Sequence, residues 1–246
     1  MNGLRIEDIV LRSGASLILD HVSLDLTKTG SVAIIGPNGA GKSSLLRIAA
    51  GVAAPSEGRV TLGGVEISRM GGTERAKAIG YVPQHFVPHW DLTADDLVQL
   101  GLERAGRASR DAVAMTISRF EIDRFAKQRW STLSGGERAR ILMAMILGTD
   151  PPVMLADEPG ASLDIRHRMS LVKTLAKRSG DQLSLVVMHD LDLAFRFFDR
   201  IILMAGGRIV ADAPPNQMFE SPVLDETFGV PFKRVMVDRS MVLLPA

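Results

Sequence analysis

Cysteine is absent from this sequence of 246 residues. That excludes disulfides and thiolate metal sites and suits a reducing compartment. A charge of one sign is lacking too. The 29 basic and 28 acidic side chains leave a net +1, so no broad field advertises nucleic acid or an anionic membrane as a partner. No apolar run reaches the roughly 18–20 residues needed to span a bilayer. The longest candidate, residues 141–155, is broken by Gly148 to Pro152. The opening MNGLRIEDIV carries neither the basic start nor the long apolar stretch of a secretory signal. The five histidines are scattered without ligand spacing, so no histidine-based metal site is expected. If the chain serves a membrane, it does so through a partner.

What is present is a composition that can pack a core, 46% apolar, in a length that fits one α/β domain or a core domain with a small insertion. Residues 4–10 and 22–26 alternate apolar and polar side chains and read as half-buried strands of an antiparallel layer. Residues 31–35 form a short apolar run opening onto a glycine-rich turn, and a helix follows from Lys42 to Ala50, stopped by Gly51. Residues 153–156 and 183–188 are continuous apolar runs, as in strands buried on both faces of a parallel sheet. Residues 201–204, Gly206-Gly207 and residues 208–211 read as a hairpin. Residues 85–149 have a different texture. Thr93 with Asp96 marks one helix start, and Ser109 opens another, with Val113, Ile117 and Phe120 on one face. The expected fold is α/β, a single domain over 1–246 with an N-terminal antiparallel β layer and a helical insertion over 85–149.

Three motifs carry chemistry. Gly36, Pro37, Asn38, Gly39, Ala40, Gly41, Lys42 and Ser43 fit the P-loop pattern between a strand and a helix. Its glycines let backbone N–H groups converge on phosphates, and the helix N-terminus adds partial positive charge. Lys42 is placed for the β- and γ-phosphates of ATP and the Ser43 hydroxyl for Mg²⁺. The strand before Asp157 and Glu158 ends in two carboxylates, one suited to Mg²⁺ and one to polarising a water as general base. Ser134, Gly135, Gly136 and Glu137 read as a capping box. A capped helix has no need of two glycines in its first turn, where each costs up to about 1 kcal/mol. A second phosphate-seeking helix end explains them better.

In that order, the P-loop, the Leu133 to Glu137 segment and Asp157-Glu158 resemble the nucleotide-binding domain of the ABC transporter family, a P-loop NTPase fold, over essentially the whole chain. The resemblance implies ATP and Mg²⁺ as cofactors and further roles residue by residue. Ser44 extends the phosphate-side set. Gln84 resembles the glutamine that touches Mg²⁺ and the nucleophilic water, and His189 the histidine that contacts the γ-phosphate. Alone, they are a loop glutamine and a histidine at a strand end. Ser162, Leu163 and Asp164 resemble the segment that crosses the dimer interface, giving Asp164 a place at the nucleotide. The chain departs from the family where an aromatic stacks on adenine. Ser13 stands there, with Arg12 beside it, so loose base selection is expected. After Glu158 it carries Pro159, Gly160, Ala161 and Ser162, where many members have Pro-Thr. Met143 and Met145 read as core filler.

The resemblance also implies partners: a second copy in a head-to-tail homodimer, separate transmembrane permease subunits, and a substrate-binding protein acting through them. The expected place is the cytoplasmic face of the plasma membrane. With one nucleotide-binding domain, no membrane segment and a short tail, fused exporters and subunits with an added C-terminal domain are not expected. Asp164-Ile165-Arg166-His167 and residues 228–234 resemble importers of iron-siderophores, haem or cobalamin. A soluble non-transport ABC ATPase would carry tandem domains or coiled coils, and a P-loop kinase or GTPase has no use for Leu133 to Glu137. The apolar segment His85 to Trp90, with Asp95 and Asp96, is expected to form part of a permease-docking surface.

Overall fold

The computed structural model describes residues 3–27, 30–160, 163–178, 182–238 and 240–246. In chain order, β1 (Leu4–Ser13) and β2 (Ser16–Leu26) form a hairpin, and β3 (Gly30–Ile35) leads into α1 (Lys42–Ala49). Strands β4 (Glu57–Leu62) and β5 (Val65–Glu66) precede α2 (Gly72–Ala78) and β6 (Ile79–Val82). Three helices follow: α3 (Ala94–Arg104), α4 (Arg110–Arg119) and α5 (Gly135–Leu147). The chain then runs through β7 (Val153–Asp157), α6 (Ile165–Ala176), β8 (Leu183–Val187), α7 (Leu191–Phe197), β9 (Arg200–Ala205) and β10 (Arg208–Ala213). Helices α8 (Pro215–Glu220) and α9 (Val223–Phe228) and the hairpin β11 (Phe232–Val237) and β12 (Ser240–Pro245) complete it.

The strands divide as their sequences require. An antiparallel sheet runs in the order β2-β1-β4-β5, and its apolar positions (Leu4, Ile6, Val22 and Leu24 among them) turn to one side. A six-stranded sheet runs β10-β9-β3-β8-β7-β6, parallel except for β10. Its central strands are apolar on both faces because both are covered. Val32, Ile34, Val153 and Leu155 join the antiparallel layer and α1 in one core, whereas Ala33, Ile35, Met154 and Ala156 join the helices opposite in a second. Burying one such side chain is worth about 1.5–3 kcal/mol, so a polar substitution at any of these points splits a layer.

The helices α3 to α5 all fall within the expected insertion and hold a core of their own, built on Leu97, Leu102, Phe125, Trp130 and Ile141. Val113, Ile117 and Phe120 pack against it from α4. Met143 and Met145 are buried, as core filler should be. Helix α1 stops one residue earlier than expected, with Ala50 as its C-cap and Gly51 left-handed at φ +66°.

Asp96 completes the capping box of α3 with Thr93, and Asp95 pairs with Lys127. These two acids hold the helix start in place, Asp96 exposed and Asp95 half-buried. Phe86 also faces inward, edge-on to Trp130 at 5.5 Å, while Val87 (82% exposed) and Trp90 (70% exposed) stand in solvent.

Candidate functional site

Four neighbouring parallel strands, in the sheet order β3-β8-β7-β6, deliver the site at their carboxyl ends. Open α/β sheets bind ligands there. The loop 36–43 follows β3, His189 follows β8, Asp157 ends β7 with Glu158 next, and Gln84 follows β6. Residues 74 positions apart in the chain thereby touch, because the strands that carry them are adjacent.

The phosphate loop is wedged in place. Gly36 has φ +144°, and a Cβ there would lie 2.1 Å from the Met204 carbonyl oxygen. Gly41 has φ +93° and backs onto Leu19 and the Ile18 carbonyl. A side chain at either position would push the loop off β9 or β2. Helix α1 then starts at Gly41 with no side-chain cap and no acid in its first turn, so its leading N–H groups are free of a built-in anion. Lys42, buried, donates to the carbonyls of Gly36 at 2.7 Å and Pro37 at 2.9 Å. Burial pushes its ammonium below the usual lysine range, with Glu158 and Asp157 pulling it back up.

Ser43 donates its hydroxyl to Asp157 Oδ1 at 3.0 Å. Burial raises the Asp157 carboxyl above the usual range, opposed by that hydrogen bond and by the charge of Lys42. A buried carboxylate beside a hydroxyl offers the hard oxygen donors that Mg²⁺ takes, with the Lys42 ammonium as a neighbouring positive charge. Glu158 is held at φ +50°, a left-handed conformation that a non-glycine residue adopts at a cost of about 1–3 kcal/mol. Its N–H donates to the Val187 carbonyl at 3.2 Å, pinning it to β8. Both carboxylate oxygens are engaged: Gln84 Nε2 donates to Oε2 at 2.7 Å, and His189 Nε2 lies 2.5 Å from Oε1.

The remaining expected residues lie elsewhere. Ser134 caps α5 and closes a capping box: Glu137 N–H donates to Ser134 Oγ at 3.4 Å, and Glu137 Oε2 accepts from Ser134 N–H at 2.8 Å. The Ser134 hydroxyl, donating to Glu137 Oε2 at 2.7 Å, and then the Ser134 N–H hold that carboxyl below its usual range. Among the described residues, neither Ser134 nor Glu137 bonds to the phosphate loop, Asp157, Glu158 or His189. Asp164 caps α6 through the His167 N–H. Ala161 and Ser162 lie outside the described residues. Ser13 ends β1 opposite Ser16, and Arg12 pairs with Leu17, all exposed at the tip of the hairpin. Sequence reasoning took Gly207 for a turn residue only; it abuts Gly41, and its carbonyl accepts from the Asp20 N–H at 3.0 Å. The doubled glycine was its one signal.

The fold and this line of strand ends define a P-loop nucleotide-hydrolysing domain. The ABC transporter family pattern matches residues 19–161. The chain is 34% identical over 236 residues to a hemin import ATP-binding protein, HmuV, of Rhodopseudomonas palustris strain BisA53, covering 92% of this chain and 87% of that protein. The HmuV of Thermobifida fusca strain YX is 36% identical over 241 residues, covering 94% and 84%. Among solved structures, a dimeric ATP-binding cassette in a post-hydrolysis state with ADP and Pi superposes with TM-score 0.75 at 29% identity, over 86% of this chain and 98% of that one. A bacterial Atm1-family exporter with ATP bound superposes with TM-score 0.81 at 25% identity, over 93% of this chain and 42% of the exporter. The chain belongs to the ABC transporter family, as one of its ATP-binding, ATP-hydrolysing subunits.

Proposed function

We propose that the chain powers a haem importer, binding and hydrolysing ATP at the carboxyl ends of β3, β8, β7 and β6. The arrangement of Glu158 between Gln84 and His189 carries the catalytic part of this reading. The cargo rests on the hemin import relatives, which align over nearly the full chain. Residues 36–44 cradle the phosphates, and Lys42 exchanges the Gly36 and Pro37 carbonyls for phosphate oxygens. That swap restores a strong partner to a buried cation. Mg²⁺, when bound by Ser43, Asp157 and Gln84, supplies charge for the phosphate oxygens. Glu158 takes a proton from the attacking water as its oxygen bonds to the γ-phosphorus and the bond to the ADP oxygen breaks. His189 orients the γ-phosphate.

The site is half built in one copy. The N-terminus of α1 has no side-chain cap, whereas α5, with Gly135 and Gly136 in its first turn, is capped by Ser134 and Glu137, and among the described residues neither of those two bonds to residues 36–44. In a head-to-tail homodimer each ATP lies between Lys42 of one copy and Ser134, Gly135 and Gly136 of the other, with Glu137 holding that helix end in shape and Asp164 alongside. Closure adds charge-assisted bonds to the γ-phosphate that vanish on hydrolysis, so ATP favours the closed dimer and ADP does not. Permease subunits, fed by a substrate-binding protein on the far side, receive that motion at the cytoplasmic face of the membrane. Exposed Val87 and Trp90, beside a groove of about 590 Å³ lined by Tyr81, Phe86, Arg104 and Met145, are their docking surface.

Mixing two inactive variants, Lys42→Ala and Ser134→Arg, tests the shared site. A heterodimer has one site with both lesions and one intact, so ATP is trapped in the mixture and in neither homodimer. Heterodimers that form and trap nothing would show both motifs acting within one chain. Haem uptake by vesicles holding the assembled transporter, against siderophore and cobalamin controls, tests the cargo.

A further inference from the structure

Outside the four strand ends, one polar chain crosses from the helical insertion to the core. Both oxygens of Asp164 are taken by a single residue: Oδ1 accepts from the His167 N–H at 2.9 Å, and Oδ2 lies 2.7 Å from its Nδ1. The hydrogen bonds from His167 hold the Asp164 carboxyl below its usual range. The other ring nitrogen, Nε2, faces Glu121 Oε2 at 3.7 Å. Glu121 follows α4 in a left-handed turn, φ +55°, and is tied to α5 by Arg140. That guanidinium donates to the Glu121 carbonyl at 3.3 Å and lies 3.8 Å from its carboxylate.

Beneath this chain the two bodies leave a cleft of about 180 Å³. Phe120 and Met143 wall it on the insertion side, and Leu163 and Leu171 on the core side. Met143 and Leu147 of α5 share one core with Leu163 and with Leu171 of α6, and the polar links run along the rim of the cleft beside that packing. Arg140 belongs to the same helix that Ser134 caps. A shift of that helix end therefore reaches Asp164 through Glu121 and His167.

We infer that His167 is a positioning residue that transmits the placement of the helical insertion to the Asp164 carboxylate. The inference rests on the reading of Asp164 as a residue that meets the nucleotide of a second copy. Glu121 is largely exposed, and exposed ion pairs contribute little stability. The link acts on geometry, and its loss shows in turnover and not in melting.

The test uses the full chain at concentrations where it dimerises, measuring kcat and KM for ATP and the melting temperature. His167→Asn keeps an amide for Asp164 and removes the nitrogen that faces Glu121. His167→Asn and Glu121→Ala are each expected to lower kcat about five- to tenfold with KM unchanged. Combining them should lower it no further, because both cut one link. Wild-type turnover in both single variants overturns the inference, as does a KM rise that accounts for the loss or additive losses in the double variant. Asp164→Ala separates the underlying reading. Full activity there removes Asp164 from the site, whereas lost activity beside a normal His167→Asn sinks the link alone.

Discussion

Gln84 and Glu158 meet side chain to side chain, the glutamine amide donating to the carboxylate at 2.7 Å. The contact aims the carboxylate from the β6 side, while His189 holds it from the β8 side. Glu158→Gln preserves that shape but cannot take a proton. Hydrolysis should fall by roughly 10²-fold or more, the scale of a general base, with ATP binding retained. ATP should then hold the variant closed, visible as a dimer by size-exclusion chromatography. Wild-type turnover would move the base elsewhere.

Lys42 spends its buried ammonium on two loop carbonyls, which it is expected to exchange for phosphate. Lys42→Ala should abolish hydrolysis and weaken nucleotide binding, read by nucleotide titration and phosphate release. Near-normal turnover would remove the loop from the site.

The tip of the β1–β2 hairpin presents Arg12, Ser13 and Leu17, with no aromatic ring for a base to stack on. Such stacking is worth about 1–3 kcal/mol, so GTP should be hydrolysed at a rate near that of ATP. A preference for ATP beyond about a hundredfold exceeds one missing stack and would assign base selection to another group.

Thr93 and Asp96 form a reciprocal cap, so α3 should depend on them for stability. Thr93→Ala should cost about 0.5–2 kcal/mol. For a chain of this length each kcal/mol is about 2–4 °C in Tm. Unchanged melting would mean that α3 is held by packing alone, leaving the acids for another role.

Asp225 accepts from the Phe232 N–H at 2.5 Å and pairs with Arg234, joining α9 to the terminal hairpin. Those contacts draw its carboxyl down to about 2. A lowered folded-state value means stability that is present above the ordinary carboxylate range and lost as pH falls through about 2. Asp225→Asn should melt earlier than wild type at pH 7, and the gap should close between about pH 4 and 2. A constant gap across that window would deny the charge any part.

Much of this was legible because each motif depends on local rules. The runs of both-face apolar residues gave the parallel strands, and the capping boxes at Thr93 and Ser134 gave the helix starts. That Gln84 lies near Glu158 was implied by the family resemblance alone, since the contact depends on β6 lying beside β7, a long-range pairing with no local signal. The pairing of Asp95 with Lys127 was not legible for a related reason, since the two lie 32 residues apart. The hairpin of β11 and β12 was missed because its residues follow no clean alternation. It is placed by tertiary contacts, such as the Leu243 N–H donating to Asp192 at 3.1 Å.

Helices α3 to α7 each begin with a side chain that bonds to their own N-terminus, and among the described residues α1 alone of the helices of eight residues or more does not. The nucleotide is therefore the missing end of a helix as well as a fuel. A ligand at a hundred times its Kd adds about 2.7 kcal/mol to the folded state, so a chain starved of nucleotide is a less durable one. The same nucleotide that is hydrolysed thus also completes the fold, and ATP or ADP alike should raise the melting temperature.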